Sequence, residues 1–121
     1  SPKPIAHWDI KAENVLWDGG MRYKLADFGS ATTAIGLRES ARERAALEEL
    51  IARSTTPHYR APEMIAVWER KPVGRPADIW ALGCLLYLLL FLRHPFAQGG
   101  ASRIVSGTYH LPPGRPAPPP A

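Results

Sequence analysis

The stretch HWDIKAENVL, at positions 7 to 16, sets Asp9, Lys11 and Asn14 close together behind His7 and Trp8. A second carboxylate, Asp27, follows 27 − 9 = 18 positions later and opens the triplet Asp27-Phe28-Gly29, and Ala61-Pro62-Glu63 comes third. Taken singly, each acid reads as a solvated side chain or a helix cap. Taken in this order they make a kit for phosphoryl transfer, which needs metal-bound phosphates, neutralised charge and an oriented hydroxyl more than a covalent nucleophile. Carboxylates for magnesium and for the hydroxyl are the minimum such chemistry asks.

Other chemistries find less support. His7, His58, His94 and His110 are far apart, and none has a ligand partner at the usual local spacing for a metal. The single cysteine, Cys84, excludes an internal disulfide framework, fits a reducing compartment and lies in apolar surroundings that predict a buried, inert thiol. A net charge of +4 and a pI near 9.6 suggest an anionic partner, but the basic residues are scattered among acids, so no nucleic acid is expected. The N-terminus SPKPIAHWDI lacks the apolar core of a signal peptide. The most apolar run, IWALGCLLYLLLFL at 79 to 92, is 14 residues and falls short of the roughly 20 that span a bilayer. No membrane span is expected, and the run predicts a helix buried on all sides.

The elements that must position these residues follow from periodicity and breakers. With 121 residues and 45% hydrophobic content, one small globular domain is the expectation. NVLW, the turn signal DGG and MRYKLADF predict a short hairpin-like unit with Asn14 and Asp27 near opposite ends. Leu37, Ala41, Leu47, Leu50 and Ile51 recur at helical intervals among charges, which predicts an amphipathic helix over 37–53. STTPHYRAPEM reads as a loop turning into a short helix near Pro62, and Pro76 suits the first turn of the apolar helix. From 112 the chain carries six prolines in nine residues. That tail reads as an extended linker, with two P-x-x-P frames that could suit a proline-binding module.

The three motifs, in this order, resemble the protein kinases: catalytic loop, D-F-G, then A-P-E. The resemblance covers residues 5 to about 110. It implies an α+β fold, the large C-terminal lobe of a kinase, mostly helical with a short β-hairpin at the catalytic loop. It implies ATP and Mg2+ as cofactors. Asp9 would accept or orient the proton of the substrate hydroxyl, and Lys11 would reach the transferred phosphate. Asn14 and Asp27 would hold magnesium through oxygen. Gly29, after Phe28, would let the backbone swing, Thr56 would bond the catalytic Asp and Lys, and Asp78 would steady the catalytic-loop backbone. His7 and Glu63 belong to the same structural set. Lys11 and TTPHYRAPE resemble serine/threonine kinases, so a protein substrate is implied. DFGSATT, DIWALGCLLYLLLFLRHPF and RIVSGTYHLPP are similar to the numb-associated kinases. That likeness implies clathrin-adaptor subunits as substrates and a cytoplasmic site near the trans-Golgi and coated vesicles.

The departures carry their own expectations. Within these residues there is no glycine-rich phosphate loop and no V-A-I-K-type lysine, so residues 1–111 are expected to be part of a kinase domain lacking the ATP-binding small lobe, followed by a tail at 112–121. Glu63 is expected to lack the arginine that pairs with it in that family. Trp8 stands where such kinases have an arginine that pairs with a phosphate on the activation segment. An indole has one neutral donor and cannot replace a guanidinium, so order in the segment is expected to come from the helix at 37–53. Trp8 and the missing small lobe also leave open a pseudokinase-like, non-catalytic interaction module.

Overall fold

A computed structural model describes residues 4–33, 36, 38–69, 71–97 and 100–112. Leu37 and nearly all of the proline tail lie outside them. Among the described residues, two short strands pair antiparallel and four helices follow: β1 Val15–Trp17, β2 Tyr23–Leu25, α1 Ala41–Ser54, α2 Pro62–Ile65, α3 Pro76–Phe91 and α4 Gly100–Ser106. Single 3-10 turns at Ala12–Asn14, Phe28–Ser30, Pro57–Tyr59 and Val67–Glu69 link them. This is the mostly helical α+β lobe with a small hairpin that the motifs implied.

The hairpin turns at Asp18, whose carboxylate accepts from the Gly20 amide at 2.8 Å, while Gly19 takes φ 87°, a region open to glycine at little cost. Its register, Val15 opposite Leu25 and Trp17 opposite Tyr23, corrects one expectation. Asn14 and Asp27 flank the two strands at the same open end, where the Ala26 amide donates to the Asn14 carbonyl at 2.7 Å. They are at opposite ends of the unit in sequence only, because antiparallel pairing folds those ends together.

Helix α1 begins later than its apolar spacing predicts, at a capping box. Ser40 Oγ accepts from the Glu43 amide at 3.0 Å, and Glu43 Oε1 accepts from the Ser40 amide at 3.2 Å. Ala41 is exposed, whereas Leu47 and Ile51 are buried and Leu50 packs against them. Helix α3 starts with Pro76 in its first turn and ends at Leu92, which adopts a left-handed φ of 58°. It is not buried on all sides: Ala77, Ala81, Cys84 and Leu85 face inward, while Ile79, Leu86 and Leu89 are more than half exposed.

Two buried clusters meet at α3. One joins Ala6 and Trp8 to Leu47 and Ile51 of α1, Met64 of α2, Ala61, Val67, Val73 and Ala77. The other joins Ile10 and Tyr59 to Ala81, Cys84, Leu85, Phe96 and Ile104. Trp80 packs against both and stacks on Phe96 at 5.5 Å. The stretch from Trp8 to Asn14 therefore runs over the seam between two cores, with one apolar side chain anchored in each. Among the described residues no helix is long and apolar enough to cross a membrane.

Candidate phosphoryl-transfer site

Helix α3 fixes the loop from below. Asp78, in its first turn, accepts the His7 amide on Oδ2 at 2.8 Å and the Trp8 amide on Oδ1 at 2.9 Å. Hydrogen bonds to a carboxylate are among the stronger kinds, so the loop backbone is clamped to the helix start. Trp8 takes a left-handed φ of 68°, which turns the chain so that Asp9 points away from the core that swallows the indole. His7 is buried and its protonation pattern can be read from its partners. Its Nδ1 accepts from the Asp9 amide at 3.1 Å, which leaves Nε2 to donate to the Ala26 carbonyl at 3.0 Å. A neutral imidazole thus ties the loop to the strand that leads to Asp27. Phe28 lies edge-on to the same ring at 4.8 Å and is otherwise largely exposed.

Asp9 is held from several directions. The Thr56 hydroxyl donates to its Oδ1 at 2.7 Å and accepts from Lys11 Nζ at 3.0 Å. Asn14 Nδ2 donates to the Asp9 carbonyl at 2.8 Å and lies 3.4 Å from Oδ2. Lys11 Nζ also stands 3.8 Å from Oδ2. Oδ2 therefore has only these longer contacts and is the more available of the two carboxylate oxygens. With its amide nitrogen committed to Asp9, Asn14 has an oxygen to offer elsewhere. Asp27, at φ 56°, accepts from the Gly29 amide through Oδ1 at 3.2 Å, which likewise leaves Oδ2. Oxygens from one amide and one carboxylate at the same end of the hairpin suit a magnesium ion, which takes few protein ligands and completes its shell with water and phosphate. Among the described residues no cluster of three or more His, Cys, Asp or Glu competes for a metal.

One expectation looks different in three dimensions. Gly29 does not hold the left-handed backbone; Asp27 does, and a side chain at Gly29 would come within 3.1 Å of Asp27 Oδ1. Close approach, and not unusual dihedrals, is what glycine provides there. Glu63 stands in the short α2, and among the described residues no ion pair involves it. Sequence reasoning assigned no role to Tyr59 or Arg60. The Tyr59 hydroxyl accepts from the Ala12 amide at 3.3 Å, and burial raises its pKa. Arg60 Nε donates to Thr55 Oγ1 at 2.8 Å, and Thr55 Oγ1 donates to the Ile51 carbonyl at 2.6 Å. Both sit in the quoted PHYRAPE string, but a bond to a residue 47 positions away leaves no local mark in a sequence.

A loop clamped to the first turn of α3, a carboxylate with one oxygen held by nothing closer than 3.4 Å, a lysine beside it and further oxygens at a hairpin mouth are the arrangement the motifs implied for the large lobe of a kinase domain. A family model described as the protein kinase domain matches residues 2–111, and the chain belongs to that family. It is 43% identical over 111 residues to serine/threonine-protein kinase AKL1 of Saccharomyces cerevisiae, covering 92% of this chain and 10% of the relative. It is 41% identical over 109 residues to actin-regulating kinase 1 of the same yeast, covering 90% and 17%. Against serine/threonine-protein kinase ppk30 of Schizosaccharomyces pombe it is 43% identical over 110 residues, covering 91% and 12%. The chain thus spans between a tenth and a sixth of the length of these relatives.

Proposed function

We propose that these residues form the catalytic half of a serine/threonine protein kinase that moves the terminal phosphoryl group of ATP to a hydroxyl on a protein. The observation that carries this reading is the Lys11–Thr56–Asp9 chain of bonds, which leaves Asp9 Oδ2 with only longer contacts, to Asn14 Nδ2 at 3.4 Å and Lys11 Nζ at 3.8 Å. Asp9 accepts the substrate hydroxyl's proton on that oxygen. Thr56 fixes the carboxylate's rotation, and Lys11, with donors to spare, steadies the phosphoryl oxygens. Asn14 and Asp27 would hold Mg2+, which draws charge from the transferring phosphate. The nucleotide's other contacts, a phosphate-covering loop and its lysine, are not among these residues, so the 121-residue chain by itself transfers no phosphate.

The substrates we propose are clathrin-adaptor subunits, in the cytoplasm near the trans-Golgi and coated vesicles. Support comes from the spelling of the motifs, which resembles that of cyclin-G-associated kinase, the auxilin-like kinase of the numb-associated group. One relative's name ties it to actin regulation. The test is a radiolabelled transfer assay of the full-length protein that carries this segment, with adaptor subunits as acceptors. Asp9→Asn should lower kcat by about 10²- to 10⁴-fold, as loss of a positioned general base does, with little change in nucleotide binding. Trp8 favours the second reading, a non-catalytic interaction module. A full-length protein that transfers nothing, with Asp9 intact, would establish it.

A further inference from the structure

We propose that Trp8 is the positioning residue through which α1 sets the place of Asp9, so that the catalytic loop and the segment after it are coupled by apolar packing and not by charge. Trp8 is only 4% exposed, and its indole N–H donates to the Gly74 carbonyl at 3.3 Å inside the cluster that holds Leu47 and Ile51 of α1. A bulky residue at φ 68° carries backbone strain and persists only where its surroundings impose it. Here the indole is gripped by the core on one side and the Trp8 amide by Asp78 on the other. The next residue is Asp9, so any shift of the indole rotates the carboxylate.

The second arm of the coupling closes the loop. Thr56, which donates to Asp9, lies two residues beyond the end of α1. Between Trp8 and the Thr55–Thr56 stretch there is a gap of only about 10 Å³, bordered also by Arg60, Met64 and Asp78. That is about the room of one water, so the two pieces lie nearly in contact. Asp9 thus has two supports, the indole behind it and the Thr56 hydroxyl beside it, and both move with α1. Neither support depends on a formal positive charge paired with a phosphate.

This inference rests on the phosphoryl-transfer reading only in calling Asp9 catalytic, and its test reads backbone amides in the 121-residue chain, not activity. Amide hydrogen exchange would be followed at Trp8 and Asp9, with Asp18 and Leu92 as distant references. Ile51→Val, which trims α1 inside the cluster, should raise exchange at Trp8 and Asp9 by at least about twofold, the lower end of coupling between residues in contact, and leave the references unchanged. In a Trp8→Ala background, or Trp8→Leu should Trp8→Ala not fold, the same Ile51→Val change should no longer reach Asp9. Trp8→Phe should preserve the effect, and about 1 M salt, where the screening length is about 3 Å, should not weaken it. The proposal fails if Ile51→Val leaves Asp9 untouched, if the references speed up equally, or if the effect survives in the Trp8→Ala or Trp8→Leu background. It also fails if salt abolishes it. A dead transferase with intact coupling would sink the catalytic reading and leave this one standing.

Discussion

At Asp9 the amide is bound by His7, the carbonyl by Asn14 and one carboxylate oxygen by Thr56. The residues that do this were legible because four of them, His7, Asp9, Lys11 and Asn14, fall in one short string whose order matters for the chemistry. What the sequence could not give is direction: which Asp9 oxygen is more available, or which His7 nitrogen donates. Those depend on Thr56 and Ala26, 47 and 19 positions away. Trp8 was the residue least explained by spelling, and the structure places it in a core whose other members come from five separate stretches of chain. Thr56→Ala removes a partner from both Asp9 and Lys11 and should cost about 1 kcal/mol, the usual size for a hydrogen bond lost at a mostly buried group. Thr56→Ser keeps the hydroxyl and should cost clearly less. Urea unfolding of the chain measures both, and equal losses would mean that the methyl group, not the bond, is what stabilises.

Helix α1 was readable in type and in its inward face, Leu47 and Ile51, because 3.6-residue periodicity survives any context. Its start was misplaced by apolar spacing that ran back to Leu37, when the stronger local signal was the Ser40–Glu43 box. Ser40→Ala should therefore destabilise by about 1 kcal/mol, read as a lower urea midpoint with unchanged slope. A second element-level expectation concerns the junction of the Pro57–Tyr59 turn with the end of α3. His94 lies 4.8 Å from His58 and 5.2 Å from Tyr59, ring to ring, and its Nδ1 is buried without a partner. Burial first, then the His58 charge, lower its pKa, while Glu13 pulls the other way. The unfolded chain then binds a proton more readily than the folded one, so this contribution is intact above the ordinary histidine value and is lost as pH falls below it. The unfolding midpoint should drop between about pH 7 and about pH 5.5, and drop less in His94→Gln. An equal drop in the variant would assign the effect to other groups.

At the scale of the whole molecule, the fold turns on one helix that faces two ways. Inward, α3 anchors both buried clusters. Outward, it presents Ile79, Leu86 and Leu90 along an open groove of about 710 Å³ that also contains Tyr87, Phe91 and Tyr109. The apolar run at 79–92 predicted a helix sealed all round because composition reports how apolar a segment is, not what else is present to cover it. A patch this extensive on an isolated chain promotes association, so the chain should bind a hydrophobic dye and self-associate with rising concentration. Cys84 offers a sharper probe of the same region. It borders the groove, yet it is only 3% exposed, and burial pushes its thiol from 9.0 up to about 11. Because the thiolate is the reactive form, a shift of that size lowers the reactive fraction at neutral pH about 100-fold relative to the unfolded chain. A disulfide reagent should accordingly label native chain at least about 100 times more slowly than chain in urea, and dye bound in the groove should not change the native rate. Fast native labelling would mean that α3 opens on its inner face, and that the two clusters do not hold it as the packing indicates.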